Sequence, residues 1–202
     1  MRFLSVNPVF LTVAASTATA QNLSIAAWAD ASSGIAYKLA IPDVSSAPFP
    51  LLMSIVAPVD VTWAAFATGA CMLRSPLVVA WPSGTNVIVT ARWATQYHPP
   101  LPYANTTLIT YSTSSVNATH WTASFLCAKG CSNWYGGSID PKNSNATFGY
   151  AASNRPVAVP ASTNSSIPYH NIAKGHFDID LTRAKNAIAT FQAASKGVGP
   201  IW

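Results

Sequence analysis

Few side chains in this 202-residue sequence have the chemistry to do more than pack. Once the N-terminal segment is set aside, the methionines are Met53 and Met72, and the histidines are His98, His120, His170 and His176. Met72 ends the small-residue stretch TGACM, five positions before the apolar run 77–81. A thioether held at the mouth of a strand can serve as an axial ligand to haem iron. A methionine can equally be a flexible core filler, and Met53, inside the continuous apolar run PLLMSIV, is explained by packing alone.

A thioether on one side of an iron calls for an imidazole on the other, and context separates the four histidines. His120 follows the hydroxyl of a glycosylation motif and reads as solvent-facing, and His98 precedes Pro99 and Pro100 in a stiff extended loop. His176 opens HFDIDL, where it shares a polar face with Asp178 and Asp180 while Phe177, Ile179 and Leu181 share the other. His170, in the loop SIPYHNIAKG, leads into that strand and can be aimed into a pocket between loops, although a loop histidine is commonly just solvated. His170 is the preferred partner of Met72.

Other chemistries find little support. All six acidic residues are Asp, and Asp178 with Asp180 on one strand face are explained by exposure rather than by a hydrolase pair. Three cysteines allow one bridge. Cys127 and Cys131 in CAKGC are close enough to close a small loop, and Cys71, beside Met72 in apolar surroundings, is expected to be free and buried. Two thiols without further Cys or His at matching spacing make a zinc site a poor alternative.

The elements that must position these residues are strands. In 34–41, Ile35, Tyr37, Leu39 and Ile41 alternate with Ala36, Lys38 and Ala40, the period of two of a half-buried strand. PLLMSIVAP, VTWAAFA, LVVAW, NVIVTAR, TTLITYS, HWTASFLC and ATFGYA follow, punctuated by Pro-rich segments. This spacing of short strands predicts an all-β antiparallel sandwich. The period lengthens only in LTRAKNAIATFQ, where Ala184, Ile188 and Phe191 predict one short C-terminal helix.

Residues 1–20 read as a secretory signal peptide: Arg2, an apolar stretch, and an A-x-A ending at Ala20. One domain is expected over 21–195, with 196–202 a tail. No later segment approaches the roughly 20 apolar residues that span a bilayer. Glycosylation motifs at Asn22, Asn105, Asn117, Asn145 and Asn164 agree with an extracellular product. The net charge of +5 falls to +4 without Arg2, and no cluster of Lys or Arg appears, so nucleic acid is a poor partner. Seven Trp and seven Tyr on a secreted β-fold also admit a haem-free carbohydrate-binding module, although Trp81 and Trp121 sit in strand contexts.

Taken together, TGACM followed by SPLVVAW, VIVTARWATQYHPP, VNATHWTASFLC with CAKGC, Trp134 in SNWYGG, and His170 leading into GHFDIDL resemble the fungal cytochrome domain of cellobiose dehydrogenase. The resemblance covers nearly all of the chain after residue 20. It implies a DOMON-type, immunoglobulin-like β-sandwich holding one b-type haem non-covalently, with Met72 and His170 as axial ligands and His176 as the alternative to His170. The family tyrosine that bonds a haem propionate falls on Tyr97 of RWATQY, Arg92 of the same segment is a candidate for charge at that edge, and the family disulfide falls on Cys127 and Cys131.

The resemblance further implies electron transfer from a flavin-dependent sugar dehydrogenase to a lytic polysaccharide monooxygenase, ferric iron or a quinone, by a monomer without an open substrate site. No GxGxxG follows a strand, so no flavin or dinucleotide fold is expected in this chain.

Overall fold

The computed structural model describes residues 23–196. The expected signal peptide, the Asn22 motif and residues 197–202 of the expected tail lie outside these. Strands dominate: β1 (Ala26–Asp30), β2 (Ile35–Pro42), β3 (Leu51–Pro58), β4 (Trp63–Ala67), β5 (Leu77–Ser83), β6 (Asn86–Trp93), β7 (Leu101–Pro102) and β8 (Thr107–Thr110). Then come β9 (Ser115–Val116), β10 (His120–Lys129), β11 (Asn133–Trp134), β12 (Gly137–Ser138), β13 (Ala146–Ser153), β14 (Ala173–Ile179) and β15 (Lys185–Asn186), and α1 (Ile188–Lys196) is the last element among the described residues.

Two sheets make the sandwich. The first runs β1-β2-β3-β10-β8, with β15 beside β2 and β9 beside β10; the second runs β14-β13-β4-β5-β6-β7. Pairing is antiparallel except where β15 meets β2. Alternation sends Ile35, Tyr37, Leu39 and Ile41 of β2 inward, as the period of two predicts, to meet Phe66, Val78 and Phe148 of the second sheet in one core. Met53 lies within that core, opposite both Leu39 and Phe125, so packing does account for it. Trp81 and Trp121 are fully buried.

The second sheet is covered on both faces. Ala64, Phe66, Val78 and Ala80 face the core, whereas Trp63, Ala65, Ala67, Leu77, Val79 and Trp81 form a separate cluster on the opposite face. Double coverage explains why LVVAW is a continuous apolar run rather than an alternating one. Helix α1 covers the outer face of the first sheet, where Phe191 packs with Ala40, Leu52, Tyr111 and Leu126.

The helix begins later than its sequence pattern predicts. Leu181–Ala184 is a 3-10 turn whose Asp180 side chain accepts from the Thr182 N–H, and Ile188 is 52% exposed rather than packed. Asn186 is the cause. Its Nδ2 donates to Ser24 O and Ala184 O, at 2.9 and 2.8 Å, and its backbone pairs with Pro42, which holds 185–186 extended. Strand β14 likewise starts at Ala173, three residues before His176.

Candidate functional site

A cavity of about 600 Å³ lies on the outer face of the second sheet, within the roughly 300–1,000 Å³ of small-molecule and cofactor sites. Its floor is made by alternate residues of three adjacent strands. Ala65 and Ala67 of β4 sit opposite Ala151 and Gly149 of β13, and Leu77 and Val79 of β5 flank them on the other side. Small side chains there leave room above the sheet. A Cβ on Gly149 would collide with the carbonyl of Ala70 and come within 3.1 Å of the Ala67 Cβ, so this glycine lets the 68–76 loop close over the floor.

That loop carries Met72 on the cavity wall. Its shape is over-determined: the Ser75 hydroxyl donates to Cys71 O at 2.6 Å, Arg74 N–H donates to Ala94 O at 2.9 Å, and Leu73 bridges Ala94. Ala70 and Arg74 adopt left-handed backbone angles, φ 67° and 56°, one on each side of Met72. Left-handed conformations disfavour residues with a Cβ and persist where surrounding structure enforces them, typically at functional sites. The Ser75 side chain and the Trp134 ring pack on Gly69, leaving no room for a Cβ there.

His170, in the segment 154–172, lines the same cavity. Four groups fix that segment. Trp81 Nε1 donates to Pro160 O at 2.8 Å, Arg92 Nη2 donates to Thr163 O and Ser165 O at 2.7 and 2.8 Å, Ser153 Oγ donates to Asn171 Oδ1 at 2.7 Å, and Asn171 Nδ2 donates to Asn154 Oδ1 at 2.7 Å. The Tyr169 ring sits 4.2 Å from the His170 ring, and Lys174 Nζ donates to the Tyr169 hydroxyl at 3.2 Å. Burial, and next the charge of Lys174, hold the His170 pKa below the ordinary histidine value. Both causes favour the neutral imidazole, the form that ligates metal.

Two buried nitrogens of cavity-lining residues have no partner among the described residues: His170 Nδ1 and Trp63 Nε1. Buried polar atoms are rarely left unpaired, and here both belong to the wall of one cavity. A thioether, a neutral imidazole, an apolar floor and unpartnered N–H capacity suit a flat, largely apolar macrocycle whose metal needs ligands from above and below. Among the described residues no group of three or more His, Cys, Asp or Glu side chains could hold a bare metal ion.

Of the residues singled out in the sequence, Met72, His170 and Tyr97 line this cavity, and so does His176, on the pocket-facing side of β14 opposite Gly149. Tyr97 stands at the mouth, 82% exposed. Arg92 does not line the cavity. It is buried behind the wall with its donors directed at loop carbonyls, so it places no charge at the mouth. Cys71 is free, as expected, but exposed rather than buried, because it sits on the cavity-facing loop and not in the core. Cys127 and Cys131 are bridged.

Trp63, Tyr169 and Lys174 also line the cavity without having been singled out, and so does His98, which its proline context had set aside as a ligand. For Trp63 a signal was present: Trp63, Ala65 and Ala67 alternate in VTWAAFA, marking a face with one large and two very small residues. His98, Pro99 and Pro100 all belong to the cavity lining, which the reading of a stiff extended loop did not reveal.

Residues 17–191 match the family model described as the cytochrome domain of cellobiose dehydrogenase. A pyrroloquinoline quinone-dependent pyranose dehydrogenase of Coprinopsis cinerea is 28% identical over 143 residues, covering 70% of this chain and 20% of that protein. The chain thus spans about a fifth of the length of that relative. Among solved structures, the cytochrome b domain of the Coprinopsis cinerea pyranose dehydrogenase superposes with a TM-score of 0.77 at 23% identity, over 86% of this chain and 90% of that one. The cytochrome domain of Myriococcum thermophilum cellobiose dehydrogenase gives 0.75 at 23% identity, over 85% and 89%.

Proposed function

This chain belongs to the family of cellobiose dehydrogenase cytochrome domains, and from that we propose that it is a secreted b-type cytochrome passing single electrons from a sugar-oxidising dehydrogenase to an external acceptor. The observation that carries the reading is the placement of Met72 and His170 on the wall of one cavity with an apolar floor of small side chains. When bound there, haem b supplies one-electron chemistry at its iron.

The chain's own residues do the rest. Met72 and His170 are the residues that would hold the iron, and with both engaged no position would be left for oxygen or substrate, which would restrict the site to electron transfer. Their loops are fixed by Ser75, Arg74, Trp81, Arg92 and Asn171, so neither ligand has to reorganise when the charge changes. Ala65, Ala67, Gly149 and Ala151 admit the ring and exclude water beneath it. Tyr97, at the mouth, offers its hydroxyl to a propionate at the solvent edge. Exposure of that edge is what a docking donor or acceptor requires.

The donor is a dehydrogenase of either flavin or quinone type, since one relative is named for pyrroloquinoline quinone. Acceptors in keeping with an exposed edge are a lytic polysaccharide monooxygenase, ferric iron or a quinone. Secretion is supported by the leader-like residues 1–20, the Cys127–Cys131 bridge, and the exposure of Asn105, Asn117, Asn145 and Asn164.

The deciding experiment is an absorption spectrum of the purified protein. A low-spin Soret band that sharpens with ascorbate supports the reading, and a colourless protein that holds added haem only loosely contradicts it. One observation favours a second reading, a carbohydrate-binding module: Tyr97, Tyr135 and Tyr169 are exposed. Retention on cellulose by the haem-free protein would support it.

A further inference from the structure

Arg92 is 1% exposed, yet it has no carboxylate partner: among the described residues the one ion pair within 4 Å joins Lys185 to Asp43. Its Nη2 bonds two carbonyls, Thr163 O and Ser165 O, its Nη1 approaches Pro100 O at 3.5 Å, and its Nε is buried without a partner. A buried cation satisfied only by carbonyl dipoles is costly to keep, so a positive charge at this position calls for a role.

Register gives the place of that charge. Arg92 pairs with Leu77, a floor residue of the cavity, and Thr90 pairs with Val79, so Arg92 projects on the same face of the second sheet as the floor. The carbonyls it grips belong to the segment that ends in His170 and to the loop that carries Tyr97 and His98. The guanidinium is therefore a strut behind the cavity wall, shielded from solvent and from salt.

We propose that Arg92 is a positioning residue that clamps the two loops walling the cavity and, as an unpaired buried cation, holds the reduction potential of the haem bound there above the value its axial ligands alone would set. This rests on the reading of the cavity as a haem site. Reduction of a ferric haem by one electron removes one positive charge from the site, so a fixed cation nearby destabilises the ferric form more than the ferrous. In a low-dielectric surround the effect is not screened by ions, unlike that of an exposed lysine.

The test is a spectroscopically followed redox titration of the haem-loaded wild type, Arg92→Gln and Arg92→Lys at low and high salt. Arg92→Gln is expected to keep a low-spin spectrum and titrate at a lower potential, with the offset unchanged by salt. Arg92→Lys, which keeps the charge but cannot reach both loops, is expected to titrate near the wild type while the segment 154–172 becomes more open to protease. An Arg92→Gln potential equal to that of the wild type, or an offset that disappears in salt, overturns the proposal while leaving the haem reading intact. If Arg92→Gln does not fold, Arg92→Lys decides: a potential near that of the wild type supports the role of the charge, and a clear drop overturns it. A wild type that takes up no haem overturns both.

Discussion

Met72 owes its position to its neighbours. The left-handed angles at Ala70 and Arg74 turn the chain sharply on either side of it, and each costs about 1–2 kcal/mol in a residue with a Cβ. Replacing Ala70 by Gly removes that cost but adds freedom to the unfolded chain, worth about 0.4–1 kcal/mol. Ala70→Gly should therefore raise stability by up to about 1.6 kcal/mol in denaturant unfolding; a destabilised variant would mean that the loop is not strained there. Met72→His should keep both axial positions filled while lowering the potential, because a second imidazole favours ferrous iron less than a thioether does. A redox titration showing no downward shift would remove Met72 from the iron. Cys71, one residue away, was expected to be buried because its neighbours are apolar; the loop turns it outward, and local composition carries no record of a turn set by hydrogen bonds to Ala94 and within 71–75.

At the scale of elements, the strands were legible because period two survives wherever one sheet face meets the core, as in β2. The cavity floor was harder to read. β4, β5 and β13 are apolar on both faces, and only the small size of Ala65, Ala67, Gly149 and Ala151 marks which face is recessed. Gly149→Ala should push the Met72 loop outward, since the added methyl meets the Ala70 carbonyl. Haem uptake should weaken while the β-sheet circular dichroism stays unchanged; undiminished uptake would show that the loop does not rest on this glycine. The helix starts later than the pattern predicts because Ala184, Ile188 and Phe191 mimic a stripe, whereas the Asn186 side chain meets Ser24 and Ile41, far away in sequence, only once the chain is folded. Helix α1 is tied down by Tyr111, whose hydroxyl donates to Ser195 O at 2.9 Å.

Burial pushes the Tyr111 pKa up to about 12. A raised folded-state value means that the neutral phenol stabilises the fold fully below the unfolded value of about 10, and that this contribution is lost as pH rises through the interval up to about 12. Thermal stability should fall over that interval in the wild type and fall less in Tyr111→Phe, which lacks the titrating group. Equal losses in the two proteins would show that the helix contact does not govern alkaline stability.

For the whole molecule, the sandwich, its two-sided second sheet and the site form one argument. One outer face is closed by α1 and the other by loops that wall a cavity, so the sheet both supports the fold and floors the site. The choice between His170 and His176 was not legible, because both come to the same cavity wall from one loop-and-strand unit. Nor could the sequence show that Arg92 serves the loops rather than the cavity mouth, since its partners are carbonyls 71 and 73 residues away. The donor is a question at this scale too. Stopped-flow mixing with flavin-type and quinone-type sugar dehydrogenases should show haem reduction by at least one of them, and inertness toward both would end the proposed place in an electron chain.

The most direct test of the central claim is carbon monoxide binding to the ferrous, haem-loaded protein, compared among wild type, Met72→Ala, His170→Ala and His176→Ala. With both axial positions filled by Met72 and His170, the wild type and His176→Ala should show no spectral response to the gas, whereas Met72→Ala and His170→Ala should each bind it. A wild type that binds carbon monoxide, or a Met72→Ala protein as unresponsive as the wild type, would contradict the account.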